Sequence, residues 1–396
     1  MALVKVREGV YRRGKSYAIV IDLPRGADGK RRQKWHTFPT ERAAVKARRE
    51  LLVKADHGEH VDVTKDTVAA VLDRWLAQYA DPSVRAETAE GYRAVIKNWI
   101  APYIGHVRIA QLSDSHIKVM FNTLREDYQR RDRRTGPLSG YSQRNAFRVL
   151  KKALAWAVRE RLIGSNPADR CDAPRVERAD MRTLNEAETV RLLQAATDSP
   201  IGALIHLAVF TGMRRSELLG LQWRDVDLDL ASVQVRRGLH SLAGGVIKIE
   251  EPKSRYSKRK VDLSPIAVLA LRRHREHLEA HAASLDTVIT DETPVFCRPD
   301  LAPMLPDSVS HQFARVTRKG NLGRLGLHTL RHTHASHLLK QGIHAKVVQE
   351  RLGHSSIQVT LDLYSHVAPG MQEAATLRFE AGLLAAGLQT PVLTVP

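Results

Sequence analysis

Cysteine is almost absent from this chain of 396 residues: Cys171 and Cys297 are the only two, and they form no CxxC pair. That argues against a disulfide scaffold and a cysteine-ligated zinc site, and it fits a reducing compartment. Aromatic residues make up 5%. No apolar run approaches the roughly 18 residues that a membrane span needs. The opening MALVKVREGVYRRGK has no apolar core of the kind a secretory signal carries, so a cytoplasmic protein is expected. Neither a phosphate-cradling GxxxxGK[ST] loop nor an HExxH zinc motif occurs.

Positive charge is what abounds. Lysine and arginine number 62 against 43 acidic residues, a net +19. The first 170 residues carry +15 of it and residues 171–396 only +4. Such a charge on a chain that is 43% hydrophobic implies folded domains with a polyanion partner. The length suits two or three domains.

Residues 1–60 read as a small sheet followed by a helix. Tyr17, Ile19, Ile21 and Leu23 alternate with Ala18, Val20 and Asp22 in a strand pattern. PRGADGKRR (24–32) is turn chemistry, and Lys34–Phe38 reads as the returning strand. Thr40 is a suitable cap for a helix over Glu41–Lys54. Arg12, Arg13, Lys15, Arg31, Arg32 and Lys34 crowd this sheet, as in β-ribbons that enter a DNA groove. A charged sheet with no ligand is the plainer alternative.

Residues 64–168 read as all-helical, with apolar faces on Thr67–Tyr79, on a helix capped by Thr88, and around Phe147–Val158. Between them lies a basic loop with Arg130, Arg131, Arg133 and Arg134, placed to meet phosphates or solvent. Asn166-Pro167 and Ala173-Pro174 bracket an expected linker over 165–182. Thr183 with Glu186 then makes a capping-box pattern. Val233–Arg237 and Val246–Glu250 suggest strands turning at Gly244-Gly245, and Val261 and Leu263 suggest another. Trp75, Trp99 and Trp223 read as core residues.

Four stretches of the C-terminal half concentrate chemistry: TGMRRSELL (211–219), PKSRYSKR (252–259), LHTLRHT (327–333), and LGH (352–354) followed by Thr360 and YSH (364–366). They supply arginines, a lysine, histidines and a tyrosine. A phosphodiester transition state is anionic and needs fixed cationic donors, which arginine offers as a rigid fork. Its leaving alkoxide needs a proton, and a tyrosine hydroxyl can hold the phosphate covalently. His328 and Arg331 stand three residues apart, on one helix face.

These four boxes, in this order, resemble the tyrosine recombinases of the phage and integrative-element integrase type. The resemblance implies a multidomain fold, mainly α with small β-sheets. Residues 1–60 would be an arm-type DNA-binding domain with a three-stranded sheet plus helix. Residues 64–168 would be a helical, SAM-like core-binding domain, residues 180–386 an α+β catalytic domain, and 387–396 a tail. It also implies Arg214, Lys253, His328, Arg331, His354 and Tyr364 as catalytic residues, with Tyr364 the nucleophile and Glu217 orienting Arg214. No cofactor or metal is expected. The expected partners are double-stranded attachment-site DNA, further copies of this chain in a homotetramer on two DNA sites that passes through a Holliday junction, and an excisionase or host DNA-bending protein.

Plainer readings stand beside these. Lys258 and Lys260 compete with Lys253. His328 and His332, at i, i+4 spacing, with His334 and His337 tempt a zinc reading, but His332, His334, His337 and His366 are better read as structural, or in the case of His366 as a phosphate neighbour. The helix over Met371–Ala386, with Ala374, Leu377, Ala381, Leu384 and Ala385, would dock on a neighbouring protomer or pack on its own domain.

Overall fold

The computed structural model describes residues 4–23, 32–56, 65–126, 128, 136–176, 181–242, 245–251, 258–364 and 371–388. They fall into two compact units, Met1–Arg178 and Ala179–Pro396.

The first unit begins with an antiparallel meander of β1 (Val4–Arg7), β2 (Val10–Arg13), β3 (Ser16–Leu23) and β4 (Arg32–Phe38). The sheet has four strands, one more than expected, because Gly9 at φ +73° turns the first residues back along β2. Those residues show too little alternation to read as a strand. Helix α1 (Glu41–Asp56) follows, its first turn capped by the Ala43 N–H donating to the Thr40 hydroxyl. Val10, Ile19 and Ala44 form the small buried core between sheet and helix. Arg12, near the end of β2, and Lys15, in the turn before β3, are exposed.

The rest of this unit is helical. Helix α2 (Val68–Trp75) runs through a π-turn, Leu76–Ala80, into α3 (Asp81–Ser83). Helix α4 (Ala86–Val95) runs through a second, Ile96–Ile100, into α5 (Ala101–Ile104). Each π-turn ends one residue before an X-Pro pair, Asp81-Pro82 and Ala101-Pro102. Proline lacks an N–H and crowds the preceding turn, and the wider turn accommodates both effects. Helix α4 starts at Ala86, two residues before Thr88, so Thr88 is not its cap. Helices α6 (Asp114–Glu126) and α7 (Gly140–Arg159) complete a core built on Trp75, Ile100, Ile117, Leu124 and Leu150. Trp75 is buried as expected, while Trp99 is half-buried and donates to the Tyr128 hydroxyl at 3.1 Å. The Asn166 side chain caps a 3-10 turn over Pro167–Arg170 and donates to the Lys151 carbonyl. The expected linker therefore starts later than residue 165, because this turn packs its Ala168 into the core.

The second unit is built around α9 (Gly202–Thr211), which is buried on nearly all sides. A helix whose residues are apolar apart from His206 and Thr211 is a core helix. Around it stand α8 (Glu186–Ala196), α10 (Arg215–Leu219), α11 (Pro265–Ser284), α12 (Pro306–Lys319) and α13 (His328–Lys340). Then come α14 (Ala345–Leu352), α15 (Ile357–Tyr364) and α16 (Met371–Ala385). A three-stranded sheet joins β5 (Val226–Asp227), β6 (Ser232–Val235) and β9 (Arg259–Asp262). A separate hairpin pairs β7 (Gly238–Ser241) with β8 (Ile247–Glu250). The expected pairing of Val233–Arg237 with Val246–Glu250 is thus replaced. Segment 232–235 belongs to the three-stranded sheet, and the weakly patterned Gly238–Ser241 supplies the hairpin partner. Trp223 is buried, and the side chains of α16 from Thr376 onward are exposed.

The cap of α8 also differs from expectation. Asn185, not Thr183, accepts from the Glu188 N–H at 2.8 Å, while the Glu188 carboxylate receives the Asn185 N–H at 3.0 Å. Replacing Asn185 with alanine should therefore cost about 1 kcal/mol, the usual worth of an N-cap. The change Glu186→Ala, which removes the expected partner, should cost well under that. Denaturant unfolding of both variants checks the assignment.

Candidate active site

Two helices of the second unit end in left-handed glycines, and the site is assembled on those ends. Helix α9 stops at Gly212, φ +64°, and α14 at Gly353, φ +68°. A glycine adopts this backbone without a Cβ penalty. At Gly212 there is also no room: a Cβ there would lie 2.5 Å from Leu352 Cδ2 and 2.9 Å from His334 Cδ2. The two helix ends are that close together.

The last carbonyls of an α-helix lack intrahelical partners and carry partial negative charge. Here guanidinium groups take them up. Arg331, buried on α13, donates Nη1 to the Gly212 carbonyl at 2.9 Å and Nη2 to the Leu352 carbonyl at 2.8 Å. Arg214 donates Nη2 to the Gly353 carbonyl at 3.2 Å. Arg259, at the start of β9, donates Nε to the Arg351 carbonyl at 2.7 Å. Three arginines from three elements are thus fixed on three consecutive carbonyls, residues 351–353.

Glu217 links two of them. Its Oε1 accepts from Arg214 Nη1 at 2.6 Å and from Arg259 Nη1 at 3.2 Å. Its Oε2 accepts from the Arg214 N–H at 2.9 Å and from Arg259 Nη2 at 3.0 Å. Burial pushes the carboxyl upward, but Arg259 and Arg214 outweigh it and hold it below its ordinary value. Glu217 is therefore an anion sandwiched between two cations.

His354 follows Gly353 and is buried. Its Nδ1 pairs with the Thr360 hydroxyl at 2.8 Å, from the facing helix α15. Desolvation, then Arg331 and Arg214, push its pKa down to about 3. His328, exposed at the start of α13, is shifted the same way by partial enclosure and then by Arg331 and Arg214. His332 packs edge-on against it at 4.7 Å between ring centres and is pushed down to about 4, first by burial and then by His328. All three imidazoles are accordingly neutral at pH 7, and such rings can both donate and accept a proton.

The remaining candidates divide. His334 accepts from Arg351 Nε at 3.0 Å, and His337 bonds the Leu184 carbonyl at 2.8 Å, so both serve the packing of α13. No group of three metal-ligating side chains converges among the described residues. Lys258 pairs with Glu251 at 2.8 Å, and Lys260 lies 3.9 Å from Asp262. Lys253, Arg31, Arg130, Arg131, Arg133, Arg134 and His366 lie outside the described residues. For Arg13, Arg32, Lys34 and Tyr364 only the backbone is described. Position 364 closes α15, one helical turn beyond Thr360.

Sequence reasoning gave Arg259 no part in the site, and it named Thr360 in the fourth stretch without a role. A signal existed for Arg259. It shares strand parity with Val261, which is buried on β9, so the arginine had to point inward too. Nothing local could have shown that Thr360 meets His354.

Residues 182–371 match the phage integrase family, and residues 67–125 match the phage integrase N-terminal SAM-like domain. The chain is 26% identical to a tyrosine recombinase XerC-like protein of Caldanaerobacter subterraneus, over 89% of this chain and 93% of that one. It is 32% identical to tyrosine recombinase XerC of Xylella fastidiosa, over 58% of this chain and 71% of that one. Among solved structures it resembles the Tn1549 transposon integrase in complex with a circular intermediate DNA. That match has a TM-score of 0.66 at 22% identity and covers 79% of this chain and 99% of that one. The mainly helical fold with small antiparallel sheets is shared.

The depressed histidines set a pH dependence. His354 and His334 sit near 3 and His332 near 4, against an ordinary 6.5, each lowered first by desolvation. The unfolded chain therefore binds protons that the folded chain refuses. The stability these groups contribute is complete above about pH 6.5 and is lost as pH falls toward 4 and 3. Thermal melts should show Tm dropping across that window, with a shallower slope for H334Q.

The Gly212 position is equally testable. G212A places a side chain at positive φ against Leu352 and His334, and should destabilise by about 1–3 kcal/mol in denaturant melts.

Proposed function

Because the chain belongs to the phage integrase family of tyrosine recombinases, which are DNA strand transferases, we propose that it is the site-specific integrase of a mobile element, and that its catalytic set is Arg214, Lys253, His328, Arg331, His354 and Tyr364. One observation carries the assignment of the set. Arg214 and Arg331 are anchored side by side on the end of α14, beside a neutral His354.

Tyr364 attacks the scissile phosphorus through its hydroxyl oxygen, and the 5′-oxygen of the adjoining nucleotide leaves. The products are a 3′-phosphotyrosine and a free 5′-hydroxyl. Arg214 and Arg331 hold the non-bridging oxygens of the five-coordinate phosphate. Among the described residues, two of the five guanidinium donors of Arg214 are engaged, by Glu217 and the Gly353 carbonyl, and its side chain is 34% exposed. The tether thus orients the fork and leaves donors for an anion. His328 takes the tyrosine proton, and Lys253 protonates the leaving oxygen. We assign His354 the tautomer in which Nδ1 accepts from the Thr360 hydroxyl, so that Nε2 carries the proton and donates to the phosphate. Joining runs the same steps in reverse, with a 5′-hydroxyl from another strand as nucleophile. One phosphodiester is exchanged for another, so no nucleotide hydrolysis is needed.

Around this centre we assign the basic residues to DNA. Arg12, Arg13, Lys15, Arg31, Arg32 and Lys34 of the first sheet would grip an arm-type site. Arg130, Arg131, Arg133 and Arg134 would contact core-site phosphates. Residues 1–60, 64–168 and 180–386 then act as arm-binding, core-binding and catalytic domains. The active species is a homotetramer on two sites that passes through a Holliday junction, with α16 docking on a neighbouring protomer. Its directionality would be set by an excisionase or a host DNA-bending protein. No described helix is long and apolar enough to cross a membrane, and the setting we propose is the DNA of a bacterial cytoplasm.

The test is capture of the intermediate. Wild-type protein mixed with a library of double-stranded DNA fragments should leave covalent adducts on a denaturing gel, and sequencing the attached DNA defines the site. Y364F should still shift the same DNA in a native gel and form no adduct. Adducts that persist in Y364F would overturn the nucleophile assignment.

A further inference from the structure

The six-residue set leaves Arg259 without a role, although it is more buried than Arg214. Its side chain is 7% exposed, and it makes a two-pronged contact with Glu217 and a third bond to the Arg351 carbonyl. A carboxylate that only oriented Arg214 would need no second arginine. It would also cancel the positive charge of the group it orients, because Glu217 lies 2.6 Å from Arg214 Nη1. In a buried site that cancellation is not screened by water.

Resting on the reading of Arg214 as a phosphate ligand, we propose that Arg259 is a positioning residue that neutralises Glu217, so that the carboxylate can orient Arg214 without weakening its attraction for an anion. The three groups together carry one net positive charge, and that charge faces the phosphate through Arg214. The geometry supports this division. Arg259 meets Glu217 through the two ends of its fork, the pairing that arginine forms best with a carboxylate. Its Nε holds the β9 end against α14, so it fixes the carboxylate relative to the same helix end that holds Arg214 and Arg331.

The role predicts a rescue that simple structural support does not. Inorganic phosphate serves as the probe, its affinity read by calorimetry or by the rise in Tm, with circular dichroism confirming the fold of each variant. R259Q leaves Glu217 uncompensated and should weaken phosphate binding about tenfold, the effect of roughly 1.4 kcal/mol. The double variant E217Q/R259Q removes the surplus negative charge and should recover most of the wild-type affinity. R214Q should lose binding in both backgrounds. Should R259Q fail to fold, R259K takes its place. It keeps a charge but lacks the fork, and it should bind phosphate a few-fold more weakly than wild type. Wild-type affinity in R259Q or R259K overturns the proposal, and so does a double variant that binds no better than the single one. Because the probe is phosphate, absence of a covalent DNA adduct would overturn the recombinase reading and leave this result standing.

Discussion

The carbonyl oxygens of residues 351–353 are the point on which the site depends. A helix must end somewhere, and its last carbonyls must find donors. Helix α14 ends inside the protein, and three guanidinium groups, from the residue that caps α10, from α13 and from β9, supply those donors. The requirement works in both directions. The carbonyls are satisfied, and long cationic side chains that would otherwise sample many rotamers are held in one arrangement. Preorganised cations of this kind stabilise developing negative charge without reorganising at the moment of reaction. Gly353 lets the chain turn away sharply enough to expose its own carbonyl and to bring His354 into the same cluster.

Concentrating positive charge has consequences for its neighbours. Glu217 ionises readily despite burial because two arginines flank it. The histidines respond in the opposite sense and stay neutral, since burial and adjacent cations both oppose a further positive charge. Neutral imidazoles are the useful form in a site that must accept and return protons. The same electrostatic field therefore tunes anion binding and proton transfer together.

Much of this was legible in the chain. The order of the four boxes pointed to the chemistry and to the family, and helical spacing placed His328 and Arg331 on one face. The apolar faces around Trp75 and Phe147 marked the helical module. Boundaries were less legible. Asn185 rather than Thr183 caps α8, and a fourth strand, β1, turns at Gly9. The partner of β8 was misread because strand pairing is non-local, and Gly238–Ser241 has little pattern of its own. Caps and turns hang on one hydrogen bond each, and several nearby residues are chemically able to make it.

The sequence by itself determined which groups are available: arginines, histidines and a tyrosine in a fixed order, and a charge excess weighted to the first 170 residues. It also contains the two glycines, Gly212 and Gly353, whose role in stopping helices only the structure showed. Only the tertiary structure decided what those groups do to one another. Residues 214, 259, 331 and 351–353 are separated by as many as 139 positions, and their contacts exist only once α9, α13, α14 and β9 pack together. Arg259 shows the difference most clearly. Its strand parity said that it points inward, while its partner, Glu217, was set by the folding of a different element 42 residues away.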